Sequence, residues 1–147
     1  MGILSCNPGK TWLIVKPQHE HDAKELFSGT GIGKTSEGKR HLGAALGSRS
    51  FLESYINDKV KVWTSTILNL SLIAKTQPHA AYCAFVHGVS GLWTFFLRTI
   101  PDISSLLQPL EDAVRLHFIE AITGRDNIIV TKRVIFAFPA HLDGLPI

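Results

Sequence analysis

Cysteine is scarce in this chain of 147 residues: Cys6 and Cys83 are too few, and too far apart in sequence, for a disulfide framework. Two free thiols and an intracellular setting, cytoplasmic or nuclear, are the expectation. No two aspartates are adjacent, and Glu111-Asp112, the one adjacent acidic pair, follows Pro109 as the first turn of a helix does, where carboxylates suit the positive end of the macrodipole. Charge excess is small, with a formal net charge of +3, which falls short of the concentrated basic stripe of a strong independent nucleic-acid binder. Residues 76–97 hold no Lys, Arg, Asp or Glu. They also carry Gln77, Pro78, His79, His87, Gly88 and Ser90, a polar load that suits a buried helix broken near Gly88 better than a lipid-facing one. Lys10 and Lys16 interrupt the apolar start, so no secretory signal is expected. Cys6 stands where N-myristoylation wants Ser or Thr, and no membrane partner is expected.

What is present is apolar periodicity, with hydrophobic residues at 45%, enough to build a core. Residues 11–16 form a short β-rich run stopped by Pro17. Residues 19–27 suit a helix that turns Ala23, Leu26 and Phe27 inward and ends at Gly29 and Gly31. Residues 32–35 and 40–45 suggest a hairpin about Glu37-Gly38. From Arg49 the period changes: Leu52, Ile56, Val60, Trp63, Ile67, Leu70 and Ala74 recur at steps of three and four, the stripe of one long helix that Pro78 halts.

A second helix offers Tyr82, Phe85, Val86, Val89, Trp93, Phe96 and Leu97. A third offers Leu106, Leu107, Leu110, Val114, Phe118, Ile119 and Ile122, and ends at Gly124. Residues 131–138 suggest a last short helix, or residues 128–130 an edge strand. The expected fold class is α+β, mainly α: a small strand, helix and hairpin segment over 1–47, a bundle of three main helices over 48–124, and a short helix with an irregular tail over 125–147. Trp63 and Trp93 should be largely buried and Trp12 more exposed.

Two patterns imitate sites. Ser28-Gly29-Thr30-Gly31-Ile32-Gly33-Lys34-Thr35 is one glycine short of a phosphate-binding P-loop, but it follows an amphipathic helical run and leads into no helix, so a glycine-rich turn is expected. The histidines make no ligand set: His19 and His21 point to different helix faces, and His79 and His87 have no carboxylate at ligand spacing. No metal site is expected.

Four phrases in order carry a family likeness: Asn7-Pro8-Gly9-Lys10-Thr11-Trp12, His41-Leu42-Gly43-Ala44-Ala45-Leu46-Gly47, Gln77-Pro78-His79-Ala80-Ala81-Tyr82, and Arg98-Thr99-Ile100-Pro101-Asp102 running into Leu106-Leu107-Gln108-Pro109-Leu110-Glu111-Asp112. Together they resemble the part of a retroelement reverse transcriptase that follows its catalytic aspartates, the last palm strand and hairpin and then the helical thumb. The tail, residues 139–147, departs from the Leu-Gly-Gly-Leu phrase usual there. In the family the aspartates lie upstream of the Asn-x-x-Lys-Thr phrase, and here six residues precede it.

The resemblance implies a truncated palm-and-thumb segment of an RNA-directed DNA polymerase, a nucleotidyltransferase fragment inactive alone. Mg²⁺ belongs to the intact parent, and no cofactor to this chain. Lys10 would take the accessory role of helping to protonate pyrophosphate, or else is a solvated residue ahead of a strand. Leu42 and Gly43 would form the hairpin that grips the primer end, with Lys34, Lys39, Arg40 and Arg49 as phosphate contacts and primer–template nucleic acid as partner. The strand at residues 11–16 would pair with strands encoded upstream, leaving an edge open to self-association. The alternative is a non-enzymatic helical module that binds protein through its apolar stripe.

Overall fold

The computed structural model describes residues 10–41 and 43–125, together with Val134 and Ala137. The expected last helix over 131–138 and the alternative strand over 128–130 lie outside them, those two positions apart. The fold is α+β and mainly α, in two compact units, Met1–Tyr55 and Ile56–Ile147. The division falls inside a helix, past the Gly47-Ser48 junction suggested by composition.

The first unit begins with β1 (Trp12–Ile14), a 3₁₀ turn at Pro17–His19 and α1 (Glu20–Leu26). There follow β2 (Gly33–Thr35), β3 (Gly38–His41) and β4 (Ala44–Gly47). The expected hairpin about Glu37-Gly38 is corrected. β2 pairs in parallel with β1, and β3 pairs antiparallel with β4, so the reversal sits between His41 and Ala44. Gly43 supplies the backbone reason, with φ +84° in the left-handed region that a tight reversal uses. β1 therefore finds its partner within the chain, across a crossover containing α1, rather than only upstream. Among the described residues it is paired on one side alone.

Gly47 lies opposite Gly38 in the hairpin register. A Cβ on Gly47 would run into the Glu37 carbonyl oxygen and Gly38 Cα; only glycine permits that approach. Ser48 then starts α2 (Arg49–Ala74), its Oγ accepting a hydrogen bond from Phe51 N–H at 3.3 Å. Among the described residues the buried core of this unit is small: Ala23, Ala45 and Tyr55. Leu26, expected inward, is instead 77% exposed, because α1 has two turns and only Ala23 of its apolar residues lies buried.

In the second unit α2 buries the expected stripe, Ile56, Val60, Trp63, Ile67, Leu70 and Ala74. Pro78 opens α3 (Pro78–Ala84) as its first residue, where its missing N–H costs nothing. The helix does not break at Gly88. It widens into a π-helical turn, Phe85–Val89, and continues as α4 (Gly91–Thr99). A second π-helical turn, Val114–Phe118, joins α5 (Gln108–Ala113) to α6 (Ile119–Thr123), which ends at left-handed Gly124.

Leu97, expected in the core, is 47% exposed, whereas Ile100 and Ile103, outside the expected stripe, are buried on either side of a turn at Pro101 and left-handed Asp102. Pro78–Thr99 is the one described helix long and apolar enough to cross a membrane by length and composition. It buries Phe85 and Phe96 within the bundle. Trp63 meets Phe96 at 5.2 Å and Trp93 at 6.3 Å between ring centroids.

Candidate nucleic-acid interface

Strand alternation places Trp12 and Ile14 on one face of β1 and Leu13 on the other. Trp12 lies opposite Gly33 in the parallel register, and Leu13 opposite Lys34. A Cβ on Gly33 would come within 2.7 Å of the Trp12 indole, so the glycine lets the ring lie flat against the neighbouring strand. The Lys39 ammonium stands 3.7 Å from the Trp12 ring centroid. Even between these neighbours Trp12 is 44% exposed, while Trp63 is buried and Trp93 half-buried.

Lys10, Trp12, Ile14, Lys39, Arg40 and His41 line a recess of about 550 Å³, completed by Thr11 and Leu46. Three cations thus converge on it, and no carboxylate is among its lining residues. Like charges held at the rim of a concave surface raise the local concentration of anions. Arg40 is aimed by Tyr55: its guanidinium carbon lies 5.0 Å from the Tyr55 ring centroid. The Tyr55 hydroxyl in turn donates to the Gly43 carbonyl at 3.1 Å. The first turns of α2 therefore brace the hairpin that carries Lys39 and Arg40.

Of the residues expected to touch nucleic acid, the structure brings Lys39 and Arg40 together, with Lys10 beside them. Lys34 is elsewhere. Its ammonium donates to the Phe27 carbonyl at 2.8 Å, where Thr30 Oγ1 also donates at 2.8 Å. That is a cation at the negative end of α1, the reverse of a phosphate site, and it explains the P-loop-like spelling as a helix stop and turn. Arg49 is paired with Glu53 within α2, Nε to Oε1 at 2.6 Å, and is not among the residues lining the recess. Leu42 lies outside the described residues, and Gly43 is the turn residue held by Tyr55. Trp12 is the contributor that the basic-residue pattern missed; its signal was an aromatic opposite a glycine, visible only once β1 and β2 are paired.

Acidic chemistry is sparse. Among the described residues no three His, Cys, Asp or Glu side chains come together as metal ligands. Among those residues the Mg²⁺ pair implied for an intact polymerase has no fitting donor set, and no phosphoryl-transfer step is assigned to them. Asp112 accepts from Gln108 Nε2 at 3.0 Å and pairs with Arg115 at 3.4 Å, and Glu111 lies in the first turn of α5. Hydrogen bonds from Lys24 and then Ser36 hold the Glu20 carboxyl below its usual range. No protein-family model, curated protein or solved structure matches the chain.

Proposed function

We propose that this chain is a reverse transcriptase-like protein of retrotransposon type, the part of an RNA-directed DNA polymerase that holds the primer–template, acting inside the cell in the cytoplasm or nucleus. Its own role is grip rather than chemistry. Lys39 and Arg40 on the hairpin contact backbone phosphates, and Lys10 at the rim assists the departing pyrophosphate when the catalytic carboxylates and Mg²⁺ of an intact enzyme are supplied. The observation that carries this reading is the convergence of Lys10, Lys39 and Arg40 on one recess without a lining carboxylate. The ordered phrases from Asn7 to Asp112 support it independently.

The test is duplex binding as a function of salt. Affinity should fall steeply as salt rises, with roughly 0.9 of log–log slope for each phosphate neutralised. Lys39→Glu with Arg40→Glu should abolish it. The chain alone should extend no primer with Mg²⁺ or Mn²⁺.

A second reading, a helical protein-interaction module, is favoured by the outward Val62 and Leu72 of α2, 62% and 64% exposed. Stoichiometric association with a protein, and no affinity for duplex at any salt, would decide for it.

A further inference from the structure

We infer that the recess of the first unit takes one unpaired nucleotide beside a duplex, its base stacked on Trp12 in place of the Lys39 ammonium and its phosphate held by Lys39 and Arg40. This rests on the nucleic-acid reading above and names the ligand that the site selects. The recess, about 550 Å³, lies within the usual span of small-molecule sites, roughly 300–1,000 Å³. Its floor is an indole laid against Gly33, in contact with the Lys39 ammonium and still 44% exposed.

An ammonium on an exposed ring is a weak contact. Stacking of a base on the same ring is stronger, and the released Lys39 gains a phosphate in exchange for a π face. A base within a duplex offers its faces only to its neighbours and would have to leave the stack to reach Trp12. An unpaired one carries no such cost. Cationic ligands that favour aromatic surfaces are repelled by Lys10, Lys39 and Arg40, and a bare carboxylate would leave the indole unused. Stacking on a ring accepts any base, since every base has a π-face, so binding should show little sequence preference.

The experiment measures affinity of the full chain for a labelled blunt duplex and for the same duplex with a short single-stranded overhang. The overhang should bind at least about 5-fold tighter. That ratio should fall toward one in Trp12→Ala and be kept in Trp12→Tyr, which retains a ring. Binding of the overhang should also quench indole emission in the wild type and leave it unchanged in Trp12→Tyr. Equal affinity for the two duplexes overturns the inference, as does an overhang preference that survives Trp12→Ala; both leave the phosphate-holding role standing. Absence of binding to either duplex overturns that role as well.

Discussion

Phe85 and Phe118 stack with ring centroids 4.7 Å apart and planes 26° from parallel, Phe85 opening one π-helical turn and Phe118 closing the other. Both are fully buried. Each wide turn shifts the face that the following residues present. Phe118→Ala should lower stability by about 3–5 kcal/mol, the usual cost of truncating a core aromatic. Trp63→Ala should fall in the same range. Urea unfolding followed by helical circular dichroism measures both, and a loss under about 1 kcal/mol would contradict the packing described.

Thr64 makes the opposite case. Its Oγ1 is buried with no hydrogen-bond partner, whereas Thr66 and Ser71 on the same helix donate to carbonyls four residues back at 3.0 and 2.8 Å. An unsatisfied buried hydroxyl costs about 1–3 kcal/mol. Thr64→Val keeps the shape and removes the cost, so the urea midpoint should rise; Thr66→Val, which gives up a bond at a more exposed position, should not raise it.

Glu20 links α1 to the end of β2, accepting from Ser36 Oγ at 2.7 Å and pairing with Lys24 at 2.7 Å. These contacts favour the carboxylate and lower its pKa from the ordinary 4.5. A depressed folded value means stabilisation that is present above the unfolded pKa and lost as pH falls through the folded one. Glu20→Gln should therefore weaken the first unit at neutral pH, and the gap from wild type should close on acidification below about 4.5. Hydrogen exchange of β1 and β2 amides at several pH values reads this; a gap that widened in acid would reverse the assignment.

Gly47 and Gly43 separate two uses of glycine in one hairpin. A side chain on Gly47 meets backbone, while a Cβ on Gly43 has nothing within 4 Å and only the left-handed φ to bear. Gly43→Ala should cost about 1–2 kcal/mol. Gly47→Ala should cost more and strip exchange protection from β3 and β4 while the helical unit keeps its circular dichroism. Equal effects at the two positions would show that close approach is not what Gly47 provides.

The apolar stripe of α2 was legible from Ile56 to Ala74, because a period of 3.6 is a local property and a long helix repeats it many times; Leu52, at the start of the stripe, is only partly buried. The stop at Pro78 and the left-handed end at Gly124 were legible for the same reason: each depends on the backbone chemistry of one residue. Leu26 was not, since two helical turns give too short a pattern to orient. Ile100 and Ile103 escaped because they flank a turn, where no period applies. The hairpin was displaced because Glu37-Gly38 and Leu42-Gly43 both spell a reversal, and register follows from which strand pairs with which.

The amino-acid sequence by itself determined the class of the fold, the three main helices and the basic character of the segment around Lys39 and Arg40. Tertiary structure alone decided that Lys34 caps a helix while Lys39 covers an indole, and that Lys10 and Trp12 share a recess with residues far along the chain. The reason is physical. Helical period and turn chemistry act over a few bonds and are written in neighbouring residues, whereas a site of converging charges and a ring depends on the parallel pairing of Trp12 with Gly33 and on Tyr55 holding Gly43, contacts between residues distant in sequence that exist only when the chain is folded.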